Sequence, residues 1–123
     1  MVLDICPPSD ASLKDHEQAV ITTTQWAKRC LDHSKNTTSL YNYNQFTCPI
    51  IQGGTNEKLR RLSAEDLMSF DAPMYAVGGL AVGEPKEEML ATVEFLNGIM
   101  PVEKPRYLMG VGTPEDLINC IAQ

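Results

Sequence analysis

Short apolar runs alternate along the chain with longer segments in which apolar residues recur every three or four positions. The short runs predict four strands, at residues 2–4, 46–52, 73–79 and 106–109. The longer segments predict helices, and the one at residues 86–100 places its apolar side chains on a single face. This alternation predicts an α/β fold with a parallel sheet and right-handed crossovers.

Polar residues and prolines mark where the predicted helices begin. Thr55 is a candidate cap for the second helix, and Ser63 predicts a kink or break inside that helix. Thr113 combines a cap with a proline at the first helical position and two early acidic residues. The last predicted helix therefore begins at Pro114.

Three of the predicted strands end in glycines, at residues 53–54, 78–79 and 110–112. Glycine has no Cβ, so the backbone can approach a ligand closely at such positions. In parallel α/β proteins, ligands bind at the carboxyl ends of the strands. This rim is therefore the predicted working surface, and the side chains beside its glycines include Asp4, Cys6, Gln52, Leu80 and Met109.

Length and charge narrow the range of partners. The 123 residues suffice for one domain, and four strands alone would leave both sheet edges unpaired, so we expect a piece of a larger α/β barrel. A net charge of −6 argues against nucleic acid, and we expect the compact basic group at residues 58–61 to be a solvated helix face. No apolar stretch approaches the ~18 residues of a membrane span, and no leader is recognisable. Four cysteines without a C-x-x-C pair predict a reduced cytoplasmic protein with no metal site in this chain.

The chemistry of the rim favours recognition over bond breaking. It contains one carboxylate, Asp4, one primary amide, Gln52, and several backbone N–H groups, with no histidine and no nucleophile–base pair. A carboxylate accepts two parallel hydrogen bonds, while an amide and a backbone N–H donate to a carbonyl oxygen. Guanine offers this combination of groups along one edge, and other planar polar ligands fit the pattern as well.

Four blocks of the sequence, taken in series, resemble the tRNA-guanine transglycosylases, also called queuine tRNA-ribosyltransferases. The blocks are MVLDICPP at residues 1–8, IQGG at 51–54, YAVGGLAVGE at 75–84 and RYLMGVGTPED at 106–116. The resemblance implies a partial (β/α)8 TIM barrel of about four consecutive βα units. Residues 1–123 would then be a single internal segment of the catalytic barrel.

The resemblance also implies a role for each residue of the rim. Asp4 would hold the N1 and 2-amino edge of the base, and Gln52 and the N–H of Gly79 would hold O6. Leu80 would offer its carbonyl to the substituent at position seven of a deazaguanine, and Met109 would pack against the ring. Two further residues complete the implied substrate site, namely Gly78 and Cys6.

Cys6 and Val82 resemble the bacterial branch of the family, which inserts 7-aminomethyl-7-deazaguanine. At the position of Ile5 the family usually has Glu, which helps to set the orientation of a peptide under the ligand, so the resemblance leaves ligand switching open here. A second implied surface lies against the RNA and consists of Gly110, Val111, Gly112, Thr113, Pro114, Glu115 and Asp116.

The implied reaction is a base exchange at the tRNA wobble position through a covalent ribosyl-enzyme intermediate. The nucleophilic aspartate, a second aspartate and a structural zinc site are implied to lie outside residues 1–123, so no catalytic residue is expected here and the segment alone is expected to be inactive. The implied partners are a tRNA with guanine at the wobble position, a deazaguanine base and a second copy of the chain, with no membrane. Two alternatives stay open, a non-catalytic base-binding subunit of the same family and an unrelated phosphate-binding barrel enzyme.

Overall fold

The computed structural model describes residues 1–123 and contains four helices and three strands. In chain order the elements are α1 (Leu13–Lys35), β1 (Ile50–Ile51), α2 (Glu57–Met68), β2 (Tyr75–Val77), α3 (Lys86–Asn97), β3 (Arg106–Leu108) and α4 (Pro114–Ile121). The strands form one parallel sheet in the order β1-β2-β3, with Ile50 opposite Ala76 and Tyr75 opposite Arg106. The predicted α/β class and the parallel sheet are therefore confirmed.

The predicted strand at residues 2–4 is wrong, so three of the four predicted strands are present. One backbone hydrogen bond, from Val2 N–H to the Cys48 carbonyl at 3.0 Å, joins this segment to the chain that leads into β1. The pairing does not continue, and the Gln52 N–H at the end of β1 donates to the Ser63 hydroxyl of α2 at 3.1 Å instead of to this segment. The segment therefore runs beside the sheet without extending it.

The structure corrects two predictions for α2 and confirms the predicted start of α4. The cap of α2 is Asn56 and not Thr55, since the Asn56 side chain accepts a hydrogen bond from the first turn of the helix. The predicted break at Ser63 is wrong, because α2 runs continuously through that residue and buries its side chain. Thr113 caps α4 and Pro114 occupies its first turn, as predicted.

The core lies between the sheet and the inner faces of the helices. The predicted apolar face of α3 is confirmed, since Met89, Val93 and Leu96 are buried. On α4, by contrast, Ile118 and Ile121 are 71% and 81% exposed, and this helix follows the edge strand β3. Nowhere in the structure is a helix both long and apolar enough to cross a membrane. Because the strands are parallel, their carboxyl ends meet at one edge of the sheet, where the predicted site residues lie.

Candidate functional site at the strand tips

The amino-terminal segment and the end of β1 meet through two side chains that lie 48 positions apart in the sequence. Gln52 is fully buried, and its Nε2 donates a hydrogen bond to Oδ2 of Asp4 at 2.6 Å. Its backbone N–H is held by the hydroxyl of Ser63. The predicted carboxylate and amide are therefore neighbours, and Gln52 is held both at its side-chain NH2 and at its backbone N–H.

The two glycines that follow β2 allow Gln52 and Met109 to approach the strand end. A Cβ on Gly78 would lie 2.6 Å from Cγ2 of Ile50, 3.0 Å from Nε2 of Gln52 and 3.4 Å from Sδ of Met109. A Cβ on Gly79 would overlap Oε1 of Gln52, and the φ of Gly79 is +64°, which favours glycine. The structure therefore brings together five of the predicted residues, Asp4, Gln52, Gly78, Gly79 and Met109.

The turn after the glycines is fixed by a carboxylate. Both oxygens of Glu84 accept hydrogen bonds from backbone N–H groups, one from Ala81 and one from Val82, the latter at 3.0 Å. In a trans peptide the carbonyl points opposite to the N–H, so the Leu80 carbonyl points away from Glu84. Leu80 itself is buried, whereas Cys6 is exposed and no hydrogen bond joins it to the other predicted site residues.

One member of the basic group does not lie on a solvated face, and for Arg60 that prediction is wrong. The Arg60 side chain is 0% exposed, and its guanidinium donates to three carbonyls, Nε to Gly54 at 2.6 Å, Nη1 to Ile51 at 2.9 Å and Nη2 to Gly79 at 3.0 Å. Burial lowers the pKa of Arg60 to about 10, so the group stays charged at neutral pH. Arg60 therefore joins the ends of β1 and β2 from behind.

Helical spacing contained a signal for the burial of Arg60. Ser63, Ala64 and Leu67 follow it by three, four and seven positions, and all of them are buried on the same face of α2. A cation at the first position of such a face more often lies in solvent, at the end of the helix, than in the core. The spacing alone therefore indicated the face, and only the three carbonyls explain how the charge is accommodated.

The stretch predicted to lie against RNA begins beside the pocket residues. A Cβ on Gly110 would lie 3.9 Å from the Leu80 carbonyl, whereas none of the structure lies within 4 Å of one on Gly112. Asp116 is buried, and Lys86 donates a hydrogen bond to its carboxylate. That hydrogen bond lowers the pKa of Asp116 below its ordinary value of 3.8, with a further contribution from Thr113. The exposed residues of the stretch are Gly110, Gly112, Thr113, Pro114 and Glu115, and Val111 is half-buried.

A cavity of about 1210 Å³ lies away from the strand tips, between the carboxyl-terminal half of α1 and residues 37–47. None of the predicted base-contacting residues lines it. No group of three or more His, Cys, Asp or Glu side chains is placed to hold a metal ion. The structural zinc that the resemblance implies therefore has no such set of side chains among residues 1–123.

A family model described as queuine tRNA-ribosyltransferase matches residues 1–123. The chain belongs to the queuine tRNA-ribosyltransferase family. The queuine tRNA-ribosyltransferase of Geobacillus kaustophilus (strain HTA426) is 48% identical over 121 residues, which cover 97% of this chain and 30% of that protein. The protein of the same name from Staphylococcus aureus (strain bovine RF122 / ET3-1) is 48% identical over 120 residues, which cover 98% of this chain and 30% of that protein.

Membership of the queuine tRNA-ribosyltransferase family confirms the resemblance that the four sequence blocks indicated. It removes the alternative of an unrelated phosphate-binding barrel enzyme. The chain spans 30% of the length of the curated relatives it matches. Within this chain, the strand tips offer one carboxylate, one amide and glycine backbone.

Proposed function

We propose that residues 1–123 form the base-recognition floor of a tRNA-guanine transglycosylase, within a (β/α)8 barrel to which they supply about four consecutive βα units. The contact between Asp4 and Gln52 beside Gly79 carries this proposal. The parallel sheet with helical crossovers and the 30% coverage of the relatives support the barrel. The exposed apolar residues of α4 support a further element against that helix.

In this proposal the strand tips read the polar edge of guanine. The Asp4 carboxylate accepts hydrogen bonds from N1–H and the 2-amino group, while the Gln52 amide and the Gly79 N–H donate to O6. Met109 packs against the ring, and the Leu80 carbonyl accepts from an amine at position seven of a deazaguanine. When the base binds, the 2.6 Å bond between Gln52 and Asp4 is exchanged for bonds to the ligand.

The whole protein would exchange guanine at the tRNA wobble position for 7-aminomethyl-7-deazaguanine through a covalent ribosyl-enzyme intermediate. The attacking aspartate, a second aspartate and the structural zinc belong to parts of the barrel outside residues 1–123. The residues described here hold and orient both the leaving and the entering base. Cys6 and Val82 favour the aminomethyl base of the bacterial branch, in accord with the bacterial relatives.

The same proposal places residues 110–116 against the tRNA. Five of these residues are exposed, and Gly112 leaves open space at the start of α4. Lys86 neutralises the Asp116 carboxylate there, which reduces repulsion of phosphate at a surface of a chain with net charge −6. The whole protein would be cytoplasmic and would pair with a second copy of itself.

The test uses a chimera in which residues 1–123 replace the matching stretch of the Geobacillus kaustophilus relative. We expect this chimera to incorporate labelled guanine into a tRNA that has guanine at the wobble position. Asp4→Ala removes a pair of charge-assisted hydrogen bonds, each worth ~1.5–3 kcal/mol, so exchange should fall at least about 100-fold. Asp10→Ala, which removes an exposed carboxylate, is the matched control. Near wild-type exchange in the Asp4→Ala chimera would contradict the assigned pocket.

A further inference from the structure

Arg60 is a buried cation without a carboxylate partner. None of the ion pairs of the chain includes it, and its guanidinium is satisfied by the carbonyls of Ile51, Gly54 and Gly79. Carbonyl dipoles solvate a charge only in part, because each provides a fraction of a unit charge. Burial lowers the pKa of Arg60, and Glu84 is near enough to oppose that shift but forms no ion pair with the guanidinium, so its positive potential persists behind the strand tips.

That potential acts on the side-chain amide of Gln52. Oε1 of Gln52 is buried and has no hydrogen-bond partner. Both this oxygen and Nη2 of Arg60 lie near the point that a Cβ on Gly79 would occupy, Nη2 at 3.5 Å from it, so the oxygen and the cation are close to each other. The oxygen of the amide is therefore on the side of the cation, and the NH2 is on the side of Asp4. Reversing the amide would turn its N–H groups toward a cation and its oxygen toward a carboxylate.

Arg60 also fixes the peptide that follows Gly79. Its Nη2 holds the Gly79 carbonyl at 3.0 Å, and the Leu80 N–H of the same trans peptide points in the opposite direction. Its Nη1 holds the Ile51 carbonyl, which also accepts a hydrogen bond from the Gly78 N–H at 3.0 Å. One side chain therefore sets the spacing between the two strand ends that face the base.

We propose that Arg60 is a specificity-determining positioning residue, which fixes the polarity of the Gln52 amide so that the pocket presents N–H donors to a base oxygen. This inference rests on the proposed function. Arg60 acts through Gln52 and Gly79 and does not itself touch the base. The pocket accordingly binds a base with a carbonyl oxygen facing Gln52 and Gly79 more tightly than a base with a weak hydrogen-bond acceptor at the same position.

The test compares the affinities of guanine and 6-thioguanine, which differ only in replacing O6 by a weakly accepting sulfur. Both are titrated calorimetrically into the chimera described above and into its variants. We expect Arg60→Met to lower the preference for guanine by about tenfold, the factor that corresponds to one hydrogen bond. Arg60→Lys keeps the charge but cannot reproduce the three-carbonyl fork, so it should weaken both bases while retaining the preference within about threefold of the unsubstituted chimera. Arg61→Met, which removes a half-exposed cation from the next position of α2, is the matched control.

A merely structural role predicts a different result, since loosened strand ends would weaken both bases equally and leave the preference unchanged. Two results would overturn the inference. One is an Arg60→Met variant that weakens both bases equally and so leaves the preference for guanine unchanged. The other is an Arg61→Met variant that loses as much of the preference as Arg60→Met does. Should Arg60→Met not fold, Arg60→Gln, which keeps an N–H donor without the charge, makes the same comparison. A folded unsubstituted chimera that binds neither base would refute the proposed function before any variant is made.

Discussion

Replacing Gly79 by alanine tests the geometry of the strand tips directly. The substitution adds one Cβ at a residue whose φ is +64° and which is enclosed by Gln52 and Arg60. The added atom would overlap Oε1 of Gln52, so the Gln52 side chain must move. Because Nε2 of that side chain is held by Asp4 at 2.6 Å, the movement breaks the hydrogen bond.

The two costs can be summed. A left-handed backbone costs ~1–2 kcal/mol for a residue with a Cβ. Loss of a hydrogen bond to a charged group costs ~1.5–3 kcal/mol. We therefore expect Gly79→Ala to lower the free energy of unfolding by about 3.5 kcal/mol. With a urea dependence of about 2 kcal/mol per molar, the midpoint should fall by about 2 M.

Urea unfolding of the chain, followed by the fluorescence of its single tryptophan, measures this change. Gly112→Ala is the matched control, since a Cβ there meets no atom within 4 Å, and it should stay within about 0.5 kcal/mol of the original chain. In a Gln52→Ala background the overlap is absent, so Gly79→Ala should cost only its backbone strain, which leaves a coupling of about 2 kcal/mol. A cost of Gly79→Ala no larger than that of Gly112→Ala would refute the described packing.

Two further substitutions probe the supports of the site. Asp116→Asn should destabilise the chain at neutral pH. Lys86 lowers the pKa of folded Asp116, so the difference in unfolding free energy between the variant and the original chain should persist above pH 3.8. It should close as the pH falls through the lowered pKa. A constant difference in urea titrations down to pH about 2 would contradict the ion pair. Ser63→Ala leaves the buried Gln52 N–H without its acceptor and should lower the free energy of unfolding by about 2 kcal/mol. The control Ser69→Ala changes an exposed serine of the same region and should lower it by less than about 0.5 kcal/mol. Equal costs would contradict the inward orientation of Ser63.

The sequence predicted the order of elements well because buried helix faces and buried strands have different periods. It predicted more and longer strands than the structure contains, because an apolar run indicates burial and does not show whether its backbone pairs with another strand. Residues 46–52 are apolar enough for a strand, yet β1 comprises only Ile50–Ile51 and begins directly after Pro49, which has no N–H to donate. Residues 2–4 lie against the core at Val2, but their pairing stops after one bond.

The proximity of Gln52 and Gly79 followed from topology, because the ends of parallel strands meet at one edge. Asp4 joins them from a segment that runs beside the sheet without being one of its strands. What no local pattern specified was the support behind that edge. The burial of Arg60 depends on carbonyls from Ile51, Gly54 and Gly79, and no period in the sequence of α2 records where those carbonyls point.

The face of α2 compensates for the pairing that β1 lacks on its side toward the amino terminus. The peptide between Ile51 and Gln52 is held at both ends by this helix, its carbonyl by Arg60 and its N–H by Ser63. These residues lie three positions apart, so one helical face reaches both groups. Arginine and serine are residue types that are mostly exposed to solvent. Here burial requires a polar group on the helix, because an apolar α2 face would leave the Gln52 N–H without a partner and the Ile51 carbonyl with only the Gly78 N–H. The residue types that identify a binding edge in the sequence are therefore not those that hold it in place.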